Sequence, residues 1–270
     1  MKINKLYLSL ILVIIIGVII YLFFTGKKKT EPRDYTQIEK ENVLRFVTDY
    51  NAIGYYVEGD TVRGFNYDLI NLLKSYTTLD FDIILESNLN RSIQGLNQGQ
   101  YDVLVRNIPI TSELKDSLIF TVPVAYNKQV LIQRKQQYND DVKPIRSQLD
   151  LAKKTIYVPE DSPAILRINN LSLEIGDTIY FVEDNLYGSE QLIMKVASKE
   201  IDYAVCDEKV AKKMAEMLPE IDYKTFIGFT NLEAWAVRKD SPVLLDSLNG
   251  WLNAAMATEK YKSIYQKYYK

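Results

Sequence analysis

The sequence contains no histidine and only one cysteine among its 270 residues. Without histidine, Ser–His and Cys–His nucleophile pairs and every histidine-ligated metal site are excluded. A single cysteine cannot form an internal disulfide, and it cannot build a thiolate cluster for zinc or iron–sulfur. Catalysis would have to rely on carboxylates, lysine, tyrosine or serine. The composition therefore favours a binding protein over an enzyme and predicts no cofactor.

An excess of basic charge is also missing, because 33 lysines and arginines face 35 acidic residues for a net charge of -2. Such a chain has no general field that attracts nucleic acid. The 20 tyrosines could stack on single-stranded bases, but at helical spacing in an acidic chain we interpret them as core and helix-packing residues. The sequence has no glycine-rich phosphate loop of the Walker type. We predict no nucleic-acid partner.

One long apolar run is present near the N-terminus, where Leu6–Phe24 contains 19 residues without a charge. As a helix at about 1.5 Å per residue, it spans a hydrocarbon core of roughly 30 Å. It ends in Phe-Phe-Thr-Gly rather than in the small residues of a cleavage site. This predicts an uncleaved signal-anchor at residues 1–26 and a polar stalk at residues 27–42. The lysines Lys27–Lys29 alone would place the C-terminal side in the cytoplasm by the positive-inside rule.

From Val43 onward the hydrophobic pattern alternates between strand and helix periods, which predicts mostly parallel sheets covered by helices. The predicted strands are Leu44–Thr48, Phe81–Leu85, Asp102–Val105, Thr155–Val158, Thr178–Val182 and Asp202–Val205. The predicted helices are Tyr67–Tyr76, Arg91–Asn97, one from about Pro163, and Glu190–Ser198.

A short repeat indicates two similar lobes. Tyr101–Asn107 and Ile201–Asp207 each follow a helix, begin with an apolar residue and aspartate, and end in polar groups. Ligands of open α/β sheets bind at the carboxyl ends of the strands. Arg106, Asn107 and Asp207 therefore become candidate ligand contacts, with Arg106 and Asp207 as opposite charges for a zwitterion. Chance similarity between two buried strands, and a surface role for Arg106 beside an acid, remain open alternatives.

Ser162 is a further candidate, because Glu160-Asp161-Ser162-Pro163 precedes an apolar-periodic run. A helix N-terminus attracts anions, although Pro163 removes one donor and Asp161 opposes negative charge. Simple capping is the alternative role. Neighbouring acids such as Asp207 and Glu208 do not favour acid–base catalysis, since adjacent strand residues point to opposite faces.

Several segments carry a family resemblance when taken in order. They are Val62–Leu69, Ile110–Glu113 with Phe120–Pro123, Ile201–Val205 with Asp207, Ala236–Pro242, and Tyr261–Tyr268. From about Leu44 to Lys270 the chain resembles extracytoplasmic solute-binding proteins of the amino-acid-binding type. It is also similar to the non-catalytic N-terminal domain of membrane-bound lytic transglycosylases.

The resemblance implies a two-lobed periplasmic-binding-protein fold with two hinge strands, near Val122–Val130 and Phe226–Asn231. Lobe 1 would comprise residues 43–122 and 231–270, and lobe 2 residues 123–230. It also implies that the binding domain lies in the periplasm, which would make the chain a single-pass protein of the inner membrane despite its lysine triplet.

The resemblance also assigns site residues. Asp207 falls on the carboxylate that binds a ligand ammonium, and Arg106 and Asn107 fall on two polar ligand-facing positions. Tyr55 falls on the aromatic that packs on the ligand, in a segment that begins with Asp49 and Tyr50, which we include as candidates.

Two positions depart from the family pattern. Leu114 replaces the arginine that clamps a carboxylate, and Pro109 replaces a hydroxyl residue. The amino-acid clamp is therefore incomplete, although the planar fork of Arg106 could supply it from a neighbouring position.

The leading hypothesis is a membrane-anchored protein that binds an amino acid or a cell-wall-derived peptide. The protein would deliver the solute to a membrane permease or sense it, with a cell-wall enzyme as the other candidate partner. One alternative is a small carboxylate-using enzyme on the same fold. Another is an interaction module related to transglycosylase regulatory domains whose cleft has degenerated, which the departures at Leu114 and Pro109 support.

Overall fold

Two β-sheets flanked by helices organise the chain in a computed structural model that describes residues 33–110, 112–160, 162, 164–186, 188–228 and 230–269. For Asn107, Pro109 and Glu113 only the backbone is described. The strands are β1 Val43–Thr48, β2 Tyr56–Glu58, β3 Thr61–Arg63, β4 Asp80–Leu85, β5 Val103–Pro109, β6 Leu118–Phe120, β7 Ala125–Asn127, β8 Gln129–Arg134, β9 Thr155–Pro159, β10 Tyr180–Asp184, β11 Ala204–Asp207, β12 Ile221–Phe226 and β13 Asn231–Arg238.

The helices alternate with the strands along most of the chain. They are α1 Tyr35–Glu41, α2 Phe65–Leu73, α3 Leu89–Asn97, α4 Ser112–Lys115, α5 Ala164–Ile175, α6 Ser189–Ala197, α7 Glu208–Ala215, α8 Pro242–Met256 and α9 Glu259–Tyr269. The predicted strands and helices all occur, with ends that differ by a few residues. The largest extension is β5, which continues to Pro109 because it gains a second partner in β13.

The first sheet has the strand order β4-β1-β5-β13-β6, and β7 also pairs with β13. The pairs of β1 with β4 and with β5 are parallel, as expected for strands joined through helices. By contrast, β13 runs antiparallel to β5, β6 and β7. This sheet is therefore mixed rather than mostly parallel.

The second sheet has the order β10-β9-β11-β8-β12. Its β9 pairs in parallel with β10 and β11, whereas β8 is antiparallel to β11 and β12. The antiparallel strands β8 and β13 are the ones that follow a crossing between the sheets. A strand that enters a sheet from the opposite side has no helical crossover, so it runs against its neighbours.

The chain crosses from the first sheet to the second between β7 and β8, at Lys128, and returns between β12 and β13. Residues 125–127, which the sequence analysis assigned to lobe 2, belong to the first sheet because their backbone pairs with β13. The other lobe boundaries stay a prediction.

An aromatic cluster ties the C-terminal helix α9 to the first sheet. The ring of Phe65, at the start of α2, lies 4.8 Å from the ring of Tyr269, which stacks on Tyr265 at 4.9 Å. The hydroxyl of Tyr261 donates to the carbonyl oxygen of Val124 at 2.7 Å, just before β7. The helix α9 therefore packs beside the crossing strands.

Among the described residues, no helix combines the length and the apolar character needed to span a bilayer. The predicted signal-anchor at residues 1–26 lies outside the described residues.

Candidate functional site

A cavity of about 710 Å³ lies between the two sheets, where β1, β5, β9 and β11 end. This is the position that open α/β sheets offer to ligands. Of the candidates from the sequence, five line its wall: Asp49, Tyr50, Arg106, Ser162 and Asp207.

Arg106 projects from β5 and is held by its own sheet. One guanidinium nitrogen, Nη2, lies 3.3 Å from Oδ2 of Asp49, and Nη1 donates to the carbonyl oxygen of Ser87 at 3.2 Å. The side chains of Arg106 and Asp49 are only 16% and 19% exposed. A charge pair this well shielded fixes the guanidinium, so its remaining donors reach the cavity in a defined direction.

Asp207 ends β11, on the wall contributed by the second sheet. Its Oδ1 accepts a hydrogen bond from the side-chain amide of Gln129, which lies opposite on the antiparallel strand β8. Burial raises the pKa of Asp207 to about 7, against the Gln129 hydrogen bond. The negative charges of Asp49 and Glu190 add to this rise. The carboxyl therefore titrates near neutral pH and would favour a cation beside it.

Glu190, which no pattern in the sequence singled out, connects the two walls of the cavity. It lies in the first turn of α6, and its Oε1 accepts the backbone N–H of Ala52 at 2.7 Å, from the loop after β1. Burial raises the pKa of Glu190, and the charge of Asp49 contributes. An acid in the first turn of a helix interacts favourably with the helix dipole. The position of Glu190 in the sequence therefore did not indicate a binding role.

The loop at residues 49–55 is rigid for a reason visible in its hydrogen bonds. Oδ1 of Asn51 accepts the backbone N–H groups of Ile53 at 3.0 Å and Gly54 at 2.5 Å. The Gly54 carbonyl in turn accepts N–H groups of Asn66 and Tyr67, at the start of α2. The loop is therefore anchored to a buried helix, and it presents Asp49 and Tyr50 to the cavity.

Two candidates are not seen facing the cavity. The ring of Tyr55 packs edge-on against Tyr67, with centroids 5.7 Å apart, and Tyr55 is absent from the described wall. Neighbouring Tyr50 and Tyr56 line it instead. Asn107 lies on β5, but its side chain is outside the description. Leu114 packs against a buried apolar cluster.

The sequence from β1 to the end matches a known family. Residues 44–270 fit the profile of the bacterial extracellular solute-binding proteins, family 3. The chain belongs to this family. The resemblance expected from the sequence is confirmed.

Curated relatives of this family 3 protein share about a quarter of its residues. The membrane-bound lytic murein transglycosylase F of Desulfosudis oleivorans is 25% identical over 233 residues, 86% of this chain and 50% of the relative. The protein of the same name from Aeromonas hydrophila is 24% identical over 234 residues, 86% of this chain and 46% of the relative. The chain thus spans about half the length of these relatives.

Solved structures show that the family 3 fold is shared. An ancestral amino acid-binding protein, a precursor of cyclohexadienyl dehydratase, superposes with a TM-score of 0.74 at 21% identity, covering 87% of this chain and 99% of that one. The solute receptor for L-cysteine of Neisseria gonorrhoeae gives 0.74 at 18% identity, covering 87% and 92%. The two-lobed α/β architecture is therefore that of periplasmic binding proteins.

A further buried acid of this family 3 protein, Glu233 on β13, lies next to the wall of the cavity. It is 2% exposed, and it accepts hydrogen bonds from the Asn127 amide at 2.8 Å and the Tyr269 hydroxyl at 3.4 Å. Burial raises the pKa of Glu233 well above its usual range, and the charge of Asp207 adds to this rise. Both donors also line the cavity. Glu233 thus holds Asn127 and Tyr269 in place in the cavity wall. Its position in a strand of the sequence does not indicate this role.

Proposed function

We propose that the protein captures a small zwitterionic or peptide-like solute, an amino acid or a cell-wall-derived peptide, in the cavity between its sheets. The observation that carries this proposal is the convergence of charged side chains on one cavity. Asp49, after β1, and Arg106, on β5, lie on the side of the first sheet, and Glu190, on α6, and Asp207, on β11, lie on the side of the second. Ligand pockets commonly have this volume and place a few polar groups in an otherwise apolar wall.

Binding would proceed by closure of the two lobes about the crossing strands. A ligand ammonium would bind the Asp207 carboxylate, and a ligand carboxylate would approach the donors of Arg106 that Asp49 and Ser87 leave free. The hydrogen bond from Ala52 to Glu190 already joins the two walls. This contact supports a closed state in which the two walls approach each other around the ligand.

The use of the bound solute is proposed from the relatives. Proteins named for murein transglycosylase activity support sensing of cell-wall peptides, whereas the family name supports delivery to a permease. For a sensor, the partner would be a cell-wall enzyme.

Ligand retention tests the binding function directly. Full-length protein purified without added ligand should carry a stoichiometric small solute that native mass spectrometry detects and that denaturation releases. Protein that is folded but free of solute, and that no amino acid or murein peptide stabilises against heat, would instead support a degenerate interaction module.

Membrane anchoring through residues 1–26, with the binding domain outside the cytoplasm, is the second part of the proposal. The apolar length of Leu6–Phe24 supports the anchor, and the family supports export. A reporter enzyme that is active only after export, fused to the C-terminus, should be active. Activity of a cytoplasm-only reporter at the same position would reverse the proposed orientation.

An enzyme on the same fold is the second candidate function. The specific observation is the carboxyl of Asp207, whose pKa of about 7 suits general acid–base catalysis at neutral pH. Chemical change of the retained solute when it is incubated with fresh protein would favour this candidate, and its recovery unchanged would favour binding alone.

A further inference from the structure

Negative charge outnumbers positive charge on the described wall of the cavity. The wall carries five carboxylates and three cationic side chains. The carboxylates belong to Asp49, Glu58, Glu160, Glu190 and Asp207, and the cationic side chains to Arg106, Lys209 and Lys213. A site that carries net negative charge concentrates cations and disfavours anions. The excess of negative charge indicates that the protein recognises positively charged groups of its ligand.

The three cations already have acceptors of their own. Nζ of Lys209 donates to the Tyr269 carbonyl oxygen at 3.0 Å and lies 3.8 Å from Oε2 of Glu208, and Nζ of Lys213 lies 2.7 Å from Oε2 of Glu216. Arg106 is held by the charge pair and the carbonyl described above. A ligand carboxylate would therefore meet a guanidinium whose charge is already balanced.

Three of the acids are in the opposite situation. Within the described part of the chain, Glu190 accepts from the Ala52 N–H, Asp207 from the Gln129 amide, and Glu160 from a side-chain amide at 3.4 Å. These donors are neutral, and the guanidinium that acts on Asp207, that of Arg106, is shared with Asp49, so positive charge is in deficit on this part of the wall. Among the described residues no group of acids or cysteine has the arrangement of a metal site. An organic cation is therefore the fitting counter-charge.

Four large apolar side chains stand at the mouth of the cavity, among exposed charged residues. Tyr50 and Val57 from the first lobe, and Leu186 and Met217 from the second, line the cavity while remaining 49–79% exposed. These exposed apolar side chains would cover the hydrocarbon part of a ligand, and the ring face of Tyr50 would attract a bound ammonium group. The ligand should therefore carry methylene groups between its charges.

We propose that the ligand captured under the proposed function is an aliphatic diamine or a solute that displays one, with ammonium groups on Asp207 and Glu190 and its methylene chain against the apolar side chains at the mouth. The inference rests on the proposed capture of a small solute in this cavity, and it puts a second ammonium group in the place of the zwitterion's carboxylate. A carboxylate on the ligand contributes little, because the only guanidinium on the described wall is neutralised by Asp49.

Isothermal titration of the full-length protein distinguishes the charge groups. The probes are α,ω-diaminoalkanes of three to six carbons, L-lysine, which adds a carboxylate to 1,5-diaminopentane, and L-norleucine, which lacks the second ammonium. We expect 1,5-diaminopentane to bind at least about tenfold more tightly than L-norleucine, and L-lysine to bind no more tightly than the diamine. Up to the length that spans Asp207 and Glu190, affinity should rise about fourfold per methylene along the series.

A matched pair of variants locates the second ammonium. Glu190→Gln keeps an acceptor for the Ala52 N–H but removes the charge, and it should weaken diamine binding by about tenfold or more without affecting L-norleucine. Glu183→Gln removes a charge from an exposed residue on β10 outside the cavity wall, and it should leave every affinity unchanged. Equal weakening by both variants would mean that the loss of diamine affinity comes from long-range charge, and it would contradict the assignment of Glu190.

The outcomes separate this inference from the function on which it rests. Tight binding of L-lysine and L-norleucine without binding of the diamines would overturn the inference and leave a zwitterion-binding protein. Failure of all probes would overturn the inference as well, and the mass spectrometry of retained solute would then decide the proposed function on its own.

Discussion

Asp207→Asn should lower the affinity for the solute retained by the wild-type protein by at least about 30-fold. The asparagine keeps an acceptor for the Gln129 amide but cannot neutralise a ligand ammonium in a shielded wall. Titration calorimetry with the solute identified by mass spectrometry measures the loss. Glu208→Gln is the matched control, because this neighbouring acid begins α7 and does not line the described cavity. Unchanged affinity in Asp207→Asn would place the ligand's ammonium elsewhere.

The pH profile adds a test that a structural role would not pass. Because the pKa of Asp207 is raised to about 7, affinity for a cation should fall about tenfold per pH unit below 7 and level off above it. The acids Asp49 and Glu190 and the guanidinium of Arg106 act on the same carboxyl, and Glu190 also has a raised pKa. The Asp207→Asn variant should show a much flatter profile.

Stability provides the control for that variant. A carboxyl whose folded pKa lies above its unfolded value stabilises the fold less as the pH rises from its unfolded pKa towards the folded one. Without ligand, Asp207→Asn should therefore melt at or above the wild-type temperature near about pH 8. A steep fall in its melting temperature would show that the carboxyl of Asp207 is needed for folding.

Gly64→Ala should destabilise the protein by about 3 kcal/mol or more, the largest loss expected here from adding a single methyl group. Gly64 has a φ of 132°, which L-residues rarely adopt, and an added Cβ would lie 2.2 Å from the carbonyl oxygen of Gly54. That carbonyl anchors the binding loop to α2. Chemical denaturation measures the loss, and ligand affinity should fall with it because the loop carries Asp49.

Two other glycines separate the causes of this loss. Gly99 has a φ of 75° with open space around the added Cβ, so Gly99→Ala should show the conformational penalty alone, about 1 kcal/mol. Gly250 lies in α8 with open space, so Gly250→Ala should stabilise by about 0.5–1 kcal/mol. If Gly64→Ala lost no more unfolding free energy than Gly99→Ala, the binding loop would have moved to make room for the added methyl group.

The part of the site that could be predicted depends on local repetition along the chain. Arg106 on β5 and Asp207 at the end of β11 occupy matching places in the same helix–strand pattern, and both line the cavity because each sheet presents the carboxyl ends of its parallel strands to it. The strands β1, β5 and β11 were predictable because each contains a contiguous run of buried apolar residues. Their partners in the antiparallel part of each sheet were not, since no local signal fixes the register of a strand that arrives from the other lobe.

The residues that sequence reasoning missed all act across such non-local pairings. Gln129 reaches Asp207 only because β8 runs antiparallel to β11, and Asn127 reaches Glu233 only because β7 pairs with β13. Glu190 meets Ala52 over 138 positions of sequence. Each is an ordinary polar residue in its own segment, and only the folded arrangement of distant segments brings it to its partner.

The central place of β13 in the first sheet sets an order of events during synthesis. Four of the five strands of the second sheet, β8–β11, lie within residues 129–207, so they can pair well before β13 is made. The first sheet must wait for residues 231–238, and until then β5 exposes one unpaired edge. At about 5–20 residues per second, that wait lasts on the order of ten seconds. Open strand edges recruit other chains, so the nascent protein is most prone to aggregation after most of it has been made.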